Sequence, residues 1–234
     1  MPSKRTFKFS SAPQMIRTVL KLDYFQEING HVAIPAYWRE GEGPLCLVTG
    51  DNASGKSFLR RILGAVCSQA KEETEYIPIS MEARRAISNN PWLIFVYGDE
   101  ETQATGVNST ETVLGGIRTS EGRSSRHVIF WDEPDLGLSD SWAAGLGQKL
   151  ADFAKKPPKH LTAAFVVTHN KSLVSQLFDV NPHFLHLGVD PEEAPHSPVE
   201  WFERPVKPRN IDKLHEESRK RFKAIQKILN SKKP

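Results

Sequence analysis

Residues 50–57 combine two glycines, a lysine and a serine at a spacing that suits phosphate binding. They match the pattern G-x-x-x-x-G-K-[ST] at every fixed position. Glycine lets backbone N–H groups approach phosphate oxygens without a Cβ atom in the way. Lys56 is expected to reach the β- and γ-phosphates, and the Ser57 hydroxyl to bind Mg²⁺. The expected cofactor-binding residues here are Gly50, Asp51, Asn52, Ala53, Ser54, Gly55, Lys56, Ser57 and Phe58.

Two acids follow a second apolar run. Residues 128–131 suit a buried strand, and Asp132 and Glu133 come directly after them. A carboxylate at the end of such a strand can hold Mg²⁺ beside a phosphate-binding loop, and we predict this role for Asp132. Side chains alternate along a strand, so Glu133 points differently and is predicted to activate water as a general base. The alternative is two acids that begin a turn.

A histidine ends a third apolar run, residues 162–167, which is followed by Thr168-His169-Asn170. In a parallel sheet the carboxyl ends of the strands line one crevice, where ligands usually bind. His169 is therefore predicted to hydrogen-bond the γ-phosphate or the attacking water, as a catalytic residue with Lys56 and Glu133. A structural histidine is the alternative.

Strands that alternate with helices must position these residues. The pattern predicts an α/β fold with a largely parallel central sheet flanked by helices and antiparallel strands near the N-terminus. A strand at residues 31–35 is expected beside one at 44–49, and the charged run 71–75 is expected to be solvated. Residues 14–20 fit a short helix or an edge strand equally. Further strands are predicted at 92–97, 127–131, 162–167 and 184–187, and helices at 56–70, 82–88, 109–122, 139–154, 171–178 and 210–229.

In order and rough spacing these motifs resemble an ABC-type ATPase, a class of P-loop NTPase, over roughly residues 25–190. The resemblance makes the 50–57 loop Walker A, Asp132-Glu133 Walker B with its catalytic Glu, and His169 the switch histidine. The Asp-Glu-Pro-Asp and Thr-His-Asn forms are more similar to the SMC/RecF-like branch than to transporter subunits. The resemblance implies ATP and Mg²⁺ as cofactors, and it places residues 134–139 at the D-loop.

Two further site residues come from the same resemblance. A Gln that binds Mg²⁺ and senses the γ-phosphate normally follows the strand between Walker A and Walker B, and Gln103 stands there. The signature segment, which opens a helix upstream of Walker B, would be residues 108–111. Ser109 would then contact ATP on the opposite subunit, although Thr110 replaces a glycine of the usual signature.

The resemblance also implies how the protein works. Two copies would pack head to tail as an ATP-driven homodimer, and a separate effector protein would be regulated in DNA repair or anti-phage defence. The 74 residues between Ser57 and Asp132 leave no room for coiled-coil arms. The alternatives are the nucleotide-binding subunit of an ABC transporter and a non-ABC P-loop protein such as a small kinase or a nucleotide sensor.

Charge separates a basic tail from the rest of the chain. Residues 201–234 hold eleven Lys or Arg and four Asp or Glu, whereas residues 1–200 hold twenty and twenty-four. We therefore divide the chain into an ATPase domain, 1–200, and a basic strand/helix extension, 201–234. DNA is a candidate partner of Arg219, Lys220, Arg221 and Lys223, and a protein is the alternative, docked through Ile211, Leu214, Phe222 and Ile225.

No run approaches the length of a membrane span, and the basic residues 1–8 lead into no apolar core of signal-peptide length. Cys46 and Cys67 lie among apolar residues and are expected to be buried and free, as in a reducing compartment. We therefore expect a cytoplasmic protein.

Overall fold

A computed structural model of the protein describes residues 6–28, 30–80 and 104–231. These residues form a six-stranded sheet and a separate two-stranded antiparallel sheet. The strands are β1 (Glu27–Ile28), β2 (His31–Val32), β3 (Ala36–Arg39), β4 (Leu45–Thr49), β5 (Glu75–Ile79), β6 (His127–Asp132), β7 (Leu161–Val167) and β8 (His183–Leu187).

Helices connect the strands and cover the large sheet. They are α1 (Ala12–Leu20), α2 (Lys56–Ser68), α3 (Thr105–Glu121), α4 (Asp140–Lys155), α5 (Lys171–Ser175), α6 (Pro198–Glu203) and α7 (Leu214–Ser231). Two 3₁₀ turns, Phe178–Val180 and Ile211–Lys213, precede β8 and α7. Pro13 stands in the first turn of α1, where its missing N–H costs no hydrogen bond.

The order of strands in the large sheet is β3-β8-β4-β7-β6-β5. Only β3 runs antiparallel to its neighbour, and all the other pairs are parallel. β7 lies between β4 and β6, and its last residue, Val167, pairs with Val48 on one side and with Asp132 on the other. The loops that follow these three strands therefore leave the same edge of the sheet side by side.

The central strands are buried on both faces, which explains why they read as continuous apolar runs. Along β6, Val128 and Phe130 join one core, and Ile129 and Trp131 join the other. The first core also contains residues of α1, α2 and α7, and the second contains residues of α3, α4 and α5. Helices thus lie on both faces of the sheet. The predicted α/β class, the largely parallel sheet and the antiparallel N-terminal strands are confirmed.

Several element predictions need correction. In the run 71–75, which was predicted to be solvated, Lys71, Glu72 and Glu73 are exposed, but Glu75 begins β5, which pairs in parallel with β6. Residues 31–35 do not form a strand beside β4; only β2 is extended there, and it pairs with β1. Residues 14–20 are helical. Both cysteines are buried and free, as expected. The predictions for residues 82–88 and 92–97 lie outside the described residues.

Candidate functional site

The loop of residues 50–57 turns sharply between the end of β4 and the start of α2. Gly50, Ala53 and Gly55 all have positive φ, at 143°, 63° and 111°. A Cβ atom at Gly50 would lie 2.6 Å from the backbone oxygen of Leu187, so only glycine fits there. Gly55 is the N-cap of α2 and provides no side-chain acceptor. The first N–H groups of α2 are thus left for another acceptor, which is how helix N-termini bind anions.

Lys56 is buried at the centre of this loop. Its ammonium donates to the backbone oxygens of Gly50 and Asp51, both at 2.8 Å. Burial lowers the pKa of Lys56 to about 8, and the carboxylates of Glu133, Asp132 and Asp51 oppose that shift. The lysine is therefore still mostly charged near neutral pH, in a place where two strand-end acids attract it.

Ser54 is packed tightly in the same loop. A Cβ atom at Gly50 would lie 2.7 Å from the hydroxyl oxygen of Ser54. A Cβ atom at Gly188 would lie 2.6 Å from the Cβ atom of Ser54. The Ser54 hydroxyl is buried and has no hydrogen-bond partner within the described residues. Such a group costs about 1–3 kcal/mol when left unpaired. The loop thus carries an unsatisfied polar group, which native interiors rarely tolerate without a functional reason.

The two acids after β6 are held close to this loop. Glu133 has a φ of 50°, and its N–H donates to the backbone oxygen of Val167 at 2.9 Å. Because of this turn its carboxylate leaves the line of the strand. Asp132, the last residue of β6, is partly buried, and its Oδ2 lies 3.8 Å from Nε of Arg60. The structure therefore brings both acids towards the first turns of α2.

Arg60 is a site residue that the sequence analysis missed. It lies one helical turn after Lys56, and its Nη1 donates to the Ser80 hydroxyl at 2.8 Å. Its guanidinium thus links α2, the end of β5 and Asp132. A spacing of four residues from Lys56 was the available signal, since i and i+4 share one helix face.

His169 lies beside Glu133, with Nε2 of His169 3.7 Å from Oε1 of Glu133. Burial and, to a smaller extent, the charge of Lys56 lower the pKa of His169 to about 4, although Asp51 opposes this shift. The imidazole is therefore neutral at pH 7 and acts there as a hydrogen-bonding group, not as a cation. Its loop is fixed by Thr168, whose hydroxyl donates to Asp135 at 2.7 Å.

A cavity of about 720 Å³ joins most of the predicted residues. The residues predicted from the sequence that line this cavity are Asn52, Ala53, Ser54, Gly55, Lys56, Ser57, Phe58, Asp132 and Glu133. Asp51 lines a neighbouring cavity of about 490 Å³, and Gly50 lies behind the loop against β8. The ring of Phe58 packs edge-on against Tyr24, with centroids 5.0 Å apart.

Among the described residues, Ser109 and His169 do not line this cavity, although His169 lies 3.7 Å from Glu133, which does. Residues 108–111 do not open a helix, because α3 already begins at Thr105. Ser109 is fully buried in the second turn, and its hydroxyl donates to the backbone oxygen of Leu136 at 2.7 Å. The N-terminal turn of α3 is thus formed by residues 105–107. Gln103 lies outside the described residues.

The C-terminal segment reaches the same loop, which the sequence analysis did not predict. Arg209 forms a 2.6 Å ion pair with Asp51, and α7 lines the cavity opposite the loop. Of the apolar residues proposed to dock a partner protein, Ile211 and Phe222 are exposed, whereas Ile225 is buried. Arg221 does not belong to a solvated basic face, since it donates to the backbone oxygens of Ala33 and Gly188.

In the described part of the chain, no helix combines the length and the apolar character needed to cross a membrane. No protein-family model matches this chain, and no curated protein matches it.

Proposed function

We propose that the protein is a P-loop ATPase that binds and hydrolyses ATP with Mg²⁺ at the 50–57 loop. One observation carries the proposal: Lys56, Ser57, Asp132 and Glu133 line a single cavity. They follow β4 and β6, whose carboxyl ends lie on either side of β7. In open parallel sheets this edge is where ligands bind.

The donor groups at this edge fit a triphosphate and a magnesium ion. Lys56 supplies a buried positive charge, and the uncapped first turn of α2 supplies N–H groups. Within the described residues no three His, Cys, Asp or Glu side chains form a metal cage. Mg²⁺ usually needs only one or two protein ligands besides phosphate oxygens and water, so Ser57 and Asp132 suffice. The bound ion would neutralise phosphate charge.

The other residues take roles that follow from their positions. Glu133 is the general base, which receives the proton of the attacking water. His169, neutral and within reach of Glu133, orients that water or the carboxylate by hydrogen bonding. Arg60 holds Asp132 in place from the side of α2. These roles need no further group from the described residues.

The proposal extends to the class and partners expected from the sequence. We place the protein with SMC/RecF-like ABC ATPases that dimerise on ATP and regulate a separate effector in DNA repair or anti-phage defence. Duplex DNA is a candidate partner because Lys220, Lys223 and Lys227 line one groove beside the β1–β2 hairpin. Duplex DNA binding that weakens with added salt in the wild type, and is lost in K223E/K227E, would support this part. Unchanged binding by that variant would refute it.

The experiment that tests the ATPase compares Lys56→Ala and Glu133→Gln with the wild type. We expect K56A to raise the Kd for ATP at least about tenfold, because hydrogen bonds from a charged donor are lost. We expect E133Q to keep its ATP affinity but to lower kcat by about 10²- to 10⁴-fold, since it removes a general base. Calorimetry measures binding, and phosphate release measures turnover.

Matched controls separate these effects from loss of fold. Lys149 and Glu121 are exposed residues on α4 and α3 that do not line the cavity, so K149A and E121Q should behave as the wild type. Turnover by E133Q at the wild-type rate would eliminate Glu133 as the base. A wild-type protein that binds no ATP would refute the whole proposal.

A further inference from the structure

The cavity above the 50–57 loop has a second wall, formed by α7. Five residues of this helix line it: Ser218, Arg221, Phe222, Ile225 and Leu229. Counted from Ser218 they stand at positions i, i+3, i+4, i+7 and i+11, so they lie on one face of the helix. The two described walls of the cavity therefore differ in polarity. One is formed by the glycine loop and two acids, and the other by mostly apolar side chains.

This wall is a fixed part of the fold. Ile225 and Ile228 are buried in the core that also contains Ala33 and Ile34. Arg221 donates to the Ala33 backbone oxygen at 2.7 Å and to that of Gly188 at 3.2 Å. Upstream of α7, the Arg209–Asp51 ion pair ties the segment to the loop itself. The helix thus holds its cavity-facing side chains at a set position relative to the loop.

Phe222 is the unusual residue on this face. It lines the cavity and is 59% exposed, although the helix around it is anchored. Phe58 is the other described aromatic residue in the cavity wall, and its ring already packs on Tyr24. The Phe222 ring has no aromatic partner in the described part of the chain. An anchored, uncovered aromatic ring that faces a phosphate-binding loop has the shape and polarity to receive a flat heterocycle.

We propose that α7 forms the base subsite of the nucleotide pocket, with the face of Phe222 stacked on the nucleobase of the bound nucleoside triphosphate. This inference rests on the proposed ATPase function and specifies its substrate contacts. With the phosphates in the 50–57 loop, the base extends past Phe58 along the cavity and meets α7. Leu229 lies two helical turns after Phe222 on the same face of α7 and is 45% exposed, so it adds an apolar contact to the base.

Stacking predicts a particular selectivity. Every nucleobase has an aromatic face, so stacking favours nucleotides over bare polyphosphate without choosing strongly between bases. A loss of the Phe222 ring should therefore weaken ATP binding and leave inorganic tripolyphosphate binding unchanged. Loss of Lys56 should weaken both, because both ligands offer the same phosphates.

The test measures the Kd of Mg²⁺–ATP and of Mg²⁺–tripolyphosphate by calorimetry on the full chain. We expect F222A to raise the Kd for ATP about tenfold, within the range of base–aromatic stacking, and to change that for tripolyphosphate less than about twofold. F222W should retain ATP affinity because it keeps an aromatic face. The control is I211A, because Ile211 is an exposed apolar residue of the same segment that does not line the cavity.

Each result separates this inference from the proposed function. If F222A binds ATP as tightly as I211A while K56A has lost ATP, the protein binds ATP but its base lies elsewhere. If F222A weakens ATP and tripolyphosphate equally, Phe222 acts through the fold and the stacking assignment fails. If the wild type binds neither ligand, the ATPase proposal fails and this subsite falls with it.

Discussion

At the scale of single residues, the site is marked by backbone conformations that ordinary side chains avoid. Ala53 and Glu133 have φ values of 63° and 50°, in the left-handed region. Each such residue costs of the order of 1–3 kcal/mol, and such strain is concentrated at functional sites. Here both residues line the same cavity, one in the glycine loop and one after β6. The surrounding sheet must stabilise both conformations.

A pair of glycine substitutions tests whether the conformation of the loop requires glycine at position 50. Gly50→Ala should destabilise the protein by about 2–5 kcal/mol, because its φ is 143° and its Cβ would lie 2.6 Å from a backbone oxygen. Gly145→Ala should stabilise it by about 0.5–1 kcal/mol, since Gly145 lies inside α4 and its Cβ would meet nothing within 4 Å. Urea unfolding of both variants gives the two free energies.

The opposite signs make the comparison informative. Both variants add one methyl group to a glycine, so a general effect of the added group cannot explain a difference between them. An equal stability change in the two variants would contradict the geometry described for the loop.

At the scale of elements, three apolar side chains stand exposed where α3, α4 and the loop after Glu133 meet. They are Val107, Leu136 and Trp142, which are 50%, 37% and 72% exposed. The contact between α3 and the loop is close, because a Cβ at Gly106 would lie 2.6 Å from the backbone oxygen of Gly137. Exposed apolar side chains on the elements around a predicted base offer a surface that the proposed head-to-tail dimer would cover.

This surface gives a direct prediction about assembly. With ATP, E133Q should double its mass from 26.3 kDa, because the uncleaved γ-phosphate keeps the two copies together. E133Q/W142D should bind ATP yet remain at the mass of one chain, since a charge replaces the most exposed of the three apolar side chains. Light scattering after size exclusion measures the mass.

The control places the same charge on another exposed apolar residue. Val206 is 85% exposed and lies in the C-terminal segment, so E133Q/V206D should still dimerise. Dimerisation of E133Q/W142D to the same extent would exclude this surface as the interface.

Local patterns explain what could be predicted at this scale and what could not. The loop 50–57 and the strand ends at Asp132 and His169 were predictable because each depends on a short run of residue types. β5 was missed because Glu75 continues a charged run and Pro78 is atypical of a strand, although Pro is tolerated where the neighbouring strand needs no N–H. The burial of Ser109 depends on Leu136, a tertiary contact that no local pattern encodes.

The position of α7 beside the 50–57 loop could not be predicted for the same reason. About 150 residues separate it in sequence from the loop that it faces. Its periodicity correctly indicated a helix, but not which of its faces is buried. Ile228 and Arg221 contact the body of the protein, whereas Phe222 and Ile211 do not pack into it. The position of α7 relative to the loop depends on how the whole sheet folds. The periodicity of the helix sequence carries no information about that position.

At the scale of the whole molecule, burial of histidines should make stability depend on pH. Burial lowers the pKa of both His186 and His169 to about 4, from 6.5. Between pH 6.5 and 4 these two histidines bind protons in the unfolded state but stay neutral in the folded state. The free energy of unfolding therefore falls as the pH drops from 6.5 to 4. Above pH 6.5 these groups are neutral in both states and contribute no slope.

His186 gives the sharper test because it is only 6% exposed. His186→Gln, which keeps a polar partner for Thr49, should remove about 3 kcal/mol of the fall between pH 6.5 and 4. Urea unfolding across this pH range measures the slope, and H215Q, a change at an exposed histidine of α7, is the control. An H186Q variant with the same slope as H215Q would show that His186 takes up its proton in the folded state.

The anchoring of α7 over the 50–57 loop also has a consequence for biosynthesis. The segments that contain Lys56, Asp132 and His169 all leave the ribosome before α7, which forms the opposite wall of the cavity. A nascent chain that has folded its sheet would therefore have the phosphate-binding loop but not its opposite wall. On the proposed function, full affinity for a nucleotide would therefore arise only after α7 has been synthesised and has packed against the body of the protein.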